Sequence, residues 1–385
     1  MRRFIAKILI LIIPLMFIII GDKILGYLYD DLAPEWGKRH LNYVLNPTVK
    51  SITQTTIKPF LNYSNSPNYY QHGVKQHNAD GYRNTYETFT QKSENEFRIL
   101  CIGGSTTYGS GVKKPREAWP ELLNKKFEVN KPQIMSSKKI VVINGGLAWG
   151  TSGELLTQYL FKHLYYKPDL IIVHTGGNDV GPLGMNNFSV DYSHWRSIEA
   201  SGSSSLRPLE KMFIESSNYF KFFYSIWFNK FGFHPANLAI STKMWDHLTP
   251  ADISKNIKSN PVIAYGNNLT NLFQIIKKSN AVPVFFQFYR PSLERLKNFN
   301  KAAFNQATNI LGENLLSWSE YLEVGFNRLQ KEAKTNCMNN NVEFWEIEKN
   351  SIAEKHFIDQ CHLNREGQEF KAQFVYDKIS KFLDE

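Results

Sequence analysis

Cysteine is scarce. The 385 residues hold 3, at positions 101, 337 and 361, and no two stand at a C-x-x-C spacing, which excludes a cysteine metal centre of that kind. Cys101 lies inside an apolar run and reads as a small buried hydrophobe, whereas Cys337 and Cys361 are the two available to pair in an oxidising compartment. Phosphate-loop signals are missing as well. A Walker loop needs Lys after its last glycine, but Gly109 is followed by Ser110 and Gly111 by Val112. Nor does the run 103–111 hold the three glycines of a dinucleotide fingerprint at their fixed spacing. No internal repeat is present. The net charge of +10 raises the question of nucleic acid, yet the lysines scatter over expected helix faces and no nucleic-acid motif accompanies them. No nucleic-acid partner is therefore expected; a basic surface biased towards anionic membrane or envelope polymers accounts for the charge.

What remains is plentiful apolar material. The chain is 42% hydrophobic and 14% aromatic, which excludes long disorder and leaves room for one large domain or two ordinary ones. One long apolar run exists. Ile8 to Gly21 is almost unbroken Ile, Leu, Phe and Met, and with Phe4 to Lys7 it approaches the ~20 residues of a bilayer helix. Arg2, Arg3 and Lys7 precede it, while Asp22, Asp30 and Asp31 outnumber Lys23 beyond it. That asymmetry predicts a single-pass anchor over 1–21, in the membrane through 4–21, with a cytoplasmic amino terminus and an extracytoplasmic remainder. A cleaved signal peptide and a buried core helix are the other readings of such a run. Residues 22–90 are aromatic, polar and poorly periodic, and read as a membrane-proximal stalk without chemistry of its own.

From Phe97 onward strands and helices alternate. Strands are predicted at 97–102, 139–144, 169–175, 282–288 and 342–347, and helices near 118–128, 152–166, 261–279 and 365–383. This βαβ spacing calls for right-handed crossovers and a parallel sheet of five strands. The domain is expected over 91–385, with insertions at 181–255 and 290–336, the second containing a pair of helices. Insertions at the carboxyl edge of such a sheet usually wall the site and set substrate choice.

Four stretches fall at that edge. Gly103 and Gly104 follow the first strand and deliver Ser105 to the strand-to-helix turn. After the second strand comes Asn144-Gly-Gly-Leu-Ala-Trp-Gly150, where a glycine frees a backbone N–H to approach a ligand. After the third comes His174-Thr-Gly-Gly-Asn-Asp179, whose side-chain amide can donate to a developing oxyanion. Before the last helix, Asp359 and His362 stand three apart, so the carboxylate can hold Nδ1–H and leave Nε2 as a base for the serine. Each stretch alone also reads as ordinary turn chemistry.

In order and spacing, these stretches over residues 80–385 resemble the blocks of the SGNH hydrolases, the GDSL-type esterases and lipases, in their Gly-Gly-Ser-Thr variant. The resemblance implies a flavodoxin-like three-layer α/β/α sandwich. It implies Ser105, Asp359 and His362 as catalytic triad, and an oxyanion hole of the Ser105 and Gly146 N–H groups with the Asn178 amide. It calls for no metal and no cofactor. The implied reaction is hydrolysis of an acyl ester on a small molecule, lipid or envelope glycan, with O-acyl transfer to a glycan by the same residues as the alternative. A catalytically silent carbohydrate-binding module is a third reading, which the intact Ser, Asn, Asp and His oppose.

Overall fold

The computed structural model describes residues 2–35, 37–38, 41, 45, 54–58, 60–195, 208–231, 248–311, 315–348 and 351–384. Parts of the expected stalk (36, 39–40, 42–44, 46–53, 59) and of the two insertions (196–207, 232–247, 312–314) lie outside the described residues. The chain divides into two units, residues 1–53 with 198–238, and residues 54–197 with 239–385.

The larger unit is built on a five-stranded sheet. Its strands are β1 Glu96–Gly103, β2 Lys139–Gly146, β3 Leu170–His174, β4 Val282–Phe286 and β5 Glu343–Trp345, in the order β2-β1-β3-β4-β5 and all parallel. The strands are rich in Val, Ile, Leu and Phe because both faces are covered. Alternation divides them between two cores. Leu100, Ile102, Ile171, Val173 and Phe285 face one, while Ile99, Cys101, Leu170, Ile172, Val284 and Phe286 face the other. Each such side chain contributes roughly 1.5–3 kcal/mol on burial.

Helices cover both faces. Among them are α1 Trp119–Val129, α2 Ser152–Phe161, α3 Ile263–Lys278, α4 Leu315–Asn339 and α5 Arg365–Asp384. α3 turns Leu269, Leu272, Phe273 and Ile276 inward at helical spacing, beside Tyr159 of α2 and Leu329, Ala333 and Cys337 of α4. On the opposite face α1 supplies Trp119, Leu123 and Phe127, and α5 supplies Ala372, Val375 and Ile379. The result is the expected α/β/α sandwich. The second insertion departs from expectation: it holds three helices, Leu293–Phe299, Lys301–Leu311 and α4. Asn300 breaks the first from the second, because its side-chain amide donates to the Glu354 and Phe357 carbonyls (2.7 and 2.8 Å) and its backbone leaves the helical region.

The smaller unit contains the N-terminal helix Arg2–Leu32, whose segment Ile12–Leu32 is long and apolar enough to cross a membrane by length and composition. Helices Pro208–Ser216 and Asn218–Phe231, from within the first insertion, belong to this unit. Asp22 Oδ1 accepts from the Ser217 hydroxyl (2.6 Å) and the Tyr219 N–H (3.0 Å), and Tyr29 shares a hydrogen bond with Ser225 (2.6 Å). That part of the insertion is thus tied to the apolar helix.

Candidate active site

The strand order reverses direction between β1 and β3, and the crevice at their carboxyl ends is where an open parallel sheet receives ligands. Ser105 leaves β1 there, at the first position of the single turn Ser105–Tyr108. A Cβ on Gly104 would stand 2.7 Å from Asn178 Nδ2 and would have to displace that amide. Among the described residues the Ser105 N–H has no hydrogen-bond acceptor. Arg83 locks the end of this turn. Its guanidinium lies 4.3 Å over the Tyr108 ring and donates to the carbonyls of Tyr108 (2.8 Å), Gly109 (2.6 Å) and Val112 (2.9 Å).

His362 and Asp359 lie on a loop closed by an antiparallel bridge between Phe357 and Leu363. Asp359 Oδ1 accepts the N–H groups of Cys361 (2.9 Å) and His362 (2.8 Å), which folds the loop around the carboxylate. Its Oδ2 accepts from His362 Nδ1 at 2.6 Å, and His362 Nε2 lies 2.7 Å from Ser105 Oγ. With Nδ1 carrying the proton towards the carboxylate, Nε2 is left to accept from the serine hydroxyl. Burial works against the His362 imidazolium, but the Cys361 sulfur and the Asp359 carboxylate outweigh it and hold the pKa well above the ordinary value. Asp359 is pushed up by burial, yet the hydrogen bond from His362 and those from the loop N–H groups prevail and its pKa is lowered.

Asn178 follows β3 and donates one amide hydrogen to the Gly150 carbonyl at 2.9 Å. Asp179 beside it is buried and accepts from the Ser152 N–H (3.0 Å) and hydroxyl (2.6 Å), fastening this loop to the start of α2. Burial pushes its pKa up to about 6 against those hydrogen bonds. The Thr151–Glu154 capping box starts the same helix.

Gly146, expected from the sequence to offer an oxyanion N–H, lies at the end of β2. β2 runs two residues past its predicted end, so Gly146 is still a ladder residue opposite Gly103. Its N–H donates to Asn144 Oδ1 (3.0 Å), its carbonyl accepts from Asn65 (2.9 Å), and a Cβ would stand 2.2 Å from the Tyr108 nitrogen. In this structure its N–H is engaged by the Asn144 side chain. The glycine that meets Asn178 is Gly150, four residues on, whose own N–H caps a turn to the Leu147 carbonyl (2.9 Å).

Residues of the stretch 54–90, read from the sequence as packing on the main domain, hold the loops around the site. Besides Arg83, Tyr63 donates to the Ala148 carbonyl (2.9 Å) and, with Asn65, holds the 146–148 loop in place. The signal available in the sequence was the density of Asn and Tyr in a stretch with no periodicity of its own.

All three cysteines are free, so Cys337 and Cys361 are not paired. Among the described residues, Asp359, Cys361 and His362 form a group with metal-ligand atoms within 4.8 Å of one another, but there His362 Nδ1 and the carboxylate are already engaged with each other. Beneath the site, Lys371 of α5 is buried with its Nζ 2.7 Å from His174 Nε2, while His174 Nδ1 contacts the Phe286 carbonyl (3.0 Å).

No family model matches the chain, and no curated protein matches it. Among solved structures it is similar to the psychrotrophic esterase EstA from Pseudoalteromonas sp., at 15% identity over 75% of this chain and 100% of that one, with a TM-score of 0.40. It is similar to the lipase/acylhydrolase from Enterococcus faecalis, at 13% identity over 74% and 96% of the two chains, TM-score 0.40. The acetyl xylan esterase AlAXEase is 12% identical over 74% of this chain and 100% of that one, TM-score 0.37.

Proposed function

We propose that this chain is an SGNH-type serine hydrolase that cleaves an acyl ester, held at a membrane by its N-terminal helix. The observation that carries the reading is the unbroken line from Asp359 Oδ2 through His362 to Ser105 Oγ, 2.6 and 2.7 Å long. Ser105 attacks the ester carbonyl, His362 Nε2 takes the hydroxyl proton, and Asp359 stabilises the imidazolium. The tetrahedral oxyanion is met by the Ser105 N–H and by the second hydrogen of the Asn178 amide, the first being given to Gly150. His362 then protonates the leaving alcohol, and water, activated in its turn by His362, releases the acyl group. The substrate class is an ester of a small molecule or glycan.

The test is hydrolysis of p-nitrophenyl acetate and butyrate by the detergent-solubilised chain. Turnover that vanishes in Ser105→Ala, together with labelling of Ser105 by a fluorophosphonate, is the expected result. A Ser105→Ala variant that retains wild-type turnover removes the serine from the chemistry.

A further inference from the structure

After β4 the chain runs Gln287-Phe-Tyr-Arg-Pro291 between the two loops that make the site. On one side Phe288 lies against Gly177, where a Cβ would stand 2.6 Å from its ring, and Gly177 adjoins Asn178. On the other side the ring of Tyr289 meets that of Phe357 at 6.1 Å, two residues before Asp359. Arg290 comes next. Its guanidinium lies 4.4 Å over the Phe326 ring, and Phe326 is itself stacked on Phe288 at 5.4 Å and 2°.

Among the described residues, both terminal nitrogens of Arg290 are closed off from solvent and have no hydrogen-bond acceptor. The same holds for both amide atoms of Gln330, whose Nε2 would lie 3.2 Å from a Cβ on Gly176, two residues before Asn178. Burial pushes the Arg290 pKa down to about 10, with Glu323 and Cys361 opposing, so the group is a cation at neutral pH. Glu323 is exposed, and among the described residues Arg290 makes no ion pair. Buried polar groups are as a rule paired, and a buried cation with no acceptor is among the costliest arrangements a fold can hold. A guanidinium stacked flat on an aromatic ring keeps its planar fork free for two oxygens of one anion.

We infer that Arg290 binds an anionic group, carboxylate or phosphate, carried by the ester substrate, so that anionic esters are preferred to neutral ones of equal size. The inference rests on the serine hydrolase reading for its substrate and on the anion site for its selectivity, and the two are separable. The first measurement is kcat/KM for mono-p-nitrophenyl glutarate against p-nitrophenyl valerate, alongside a phosphate-terminated ester of matched length. The wild-type chain should favour the charged member of each pair. Arg290→Met should cut that ratio by about 10- to 100-fold, chiefly through KM, because a site built for a polar group discriminates strongly when its partner is lost. The carboxylate and phosphate arms report which anion is bound better.

The second measurement needs no turnover: glutarate and glycerol phosphate are titrated calorimetrically into Ser105→Ala, with and without Arg290→Met. Binding that disappears with Arg290 supports the site even if no ester is cleaved, in which case the hydrolase reading fails alone. Esters cleaved with the same charge preference in wild type and Arg290→Met, and no Arg290-dependent anion binding, overturn the site and leave the hydrolase standing. Removing an unpaired cation should not lower the melting temperature. An Arg290→Met chain that melts several degrees lower in the absence of anion marks the guanidinium as a structural prop and also overturns the inference.

Discussion

The two ring nitrogens of His362 have different neighbours, and that difference sets the pH response. The base must be neutral to accept from Ser105, and the Cys361 sulfur and Asp359 carboxylate overcome burial to raise its pKa. Activity should therefore be present above that raised pKa and be lost as pH falls through it, with the acid limb of kcat/KM displaced above the ordinary histidine range near about 6.5. Asp359→Asn removes one source of the displacement and the acceptor that fixes the tautomer. It should lower kcat by on the order of 10⁴-fold and move the limb down. A wild-type limb in the ordinary range, or one that stays put in Asp359→Asn, would remove the carboxylate from this role. Asn178 and Gly146 separate in the same spirit. Asn178→Ala should lower kcat about 100- to 1000-fold with the fold intact. Gly146→Ala places a methyl 2.2 Å from the Tyr108 nitrogen and should instead show as lost folded yield in a thermal melt. If Asn178→Ala turned over like wild type, the amide would play no part. Ser105, Asp359 and His362, which the fold brings within hydrogen-bond reach of one another, each lie in a short local pattern of the sequence. What the Gly146 N–H meets is not legible locally, since it depends on how far β2 pairs with β1.

Strand and helix positions were legible because a parallel sheet buried on both faces leaves long apolar runs between polar turns. Their ends were less so. β4 stops at Phe286 although the run continues to Phe288; Gln287 still donates its N–H to the Trp345 carbonyl of β5 (3.0 Å), and Phe288 lies against Gly177. The least legible contribution is a helix that buries a lysine under the site. α5 carries Lys371 into the core against His174, and burial drops its pKa to about 7 from an ordinary 10.5. Between those values the unfolded chain holds a proton that the folded one does not, so this group makes stability rise with pH, by about 1.4 kcal/mol per pH unit. Below about 7 the folded lysine is protonated as well, and the penalty is full and constant. Lys371→Met should flatten the dependence of melting temperature on pH between 7 and 10. An unchanged slope would mean that the lysine stays charged in the fold.

The residues proposed for catalysis, 105, 178, 359 and 362, all lie in the larger unit, while the apolar helix belongs to the smaller one. The proposed chemistry and the candidate membrane span thus fall in different units of the chain, and if the helix is an anchor, the side on which the proposed site lies is set by the charges flanking it. Arg2, Arg3 and Lys7 on the amino side should stay in the cytoplasm, and the acidic side, with Asp22, Asp30 and Asp31, should follow the rest of the chain across. Alkaline phosphatase fused to the carboxyl terminus should then be active and a green fluorescent protein fused there dark. Replacing Arg2, Arg3 and Lys7 by alanine should erode that bias, because basic residues near a first helix dominate orientation. A fluorescent, phosphatase-negative fusion would put the ester substrate in the cytoplasm and reject the envelope glycan as its source. A shortened chain recovered free of membranes would make the helix a signal peptide, and Asp22 would then lose its place against Ser217 and Tyr219 in the mature protein. That contact ties Asp22, inside the helix Arg2–Leu32, to the insertion, so an intact chain in the membrane fraction is the expected outcome.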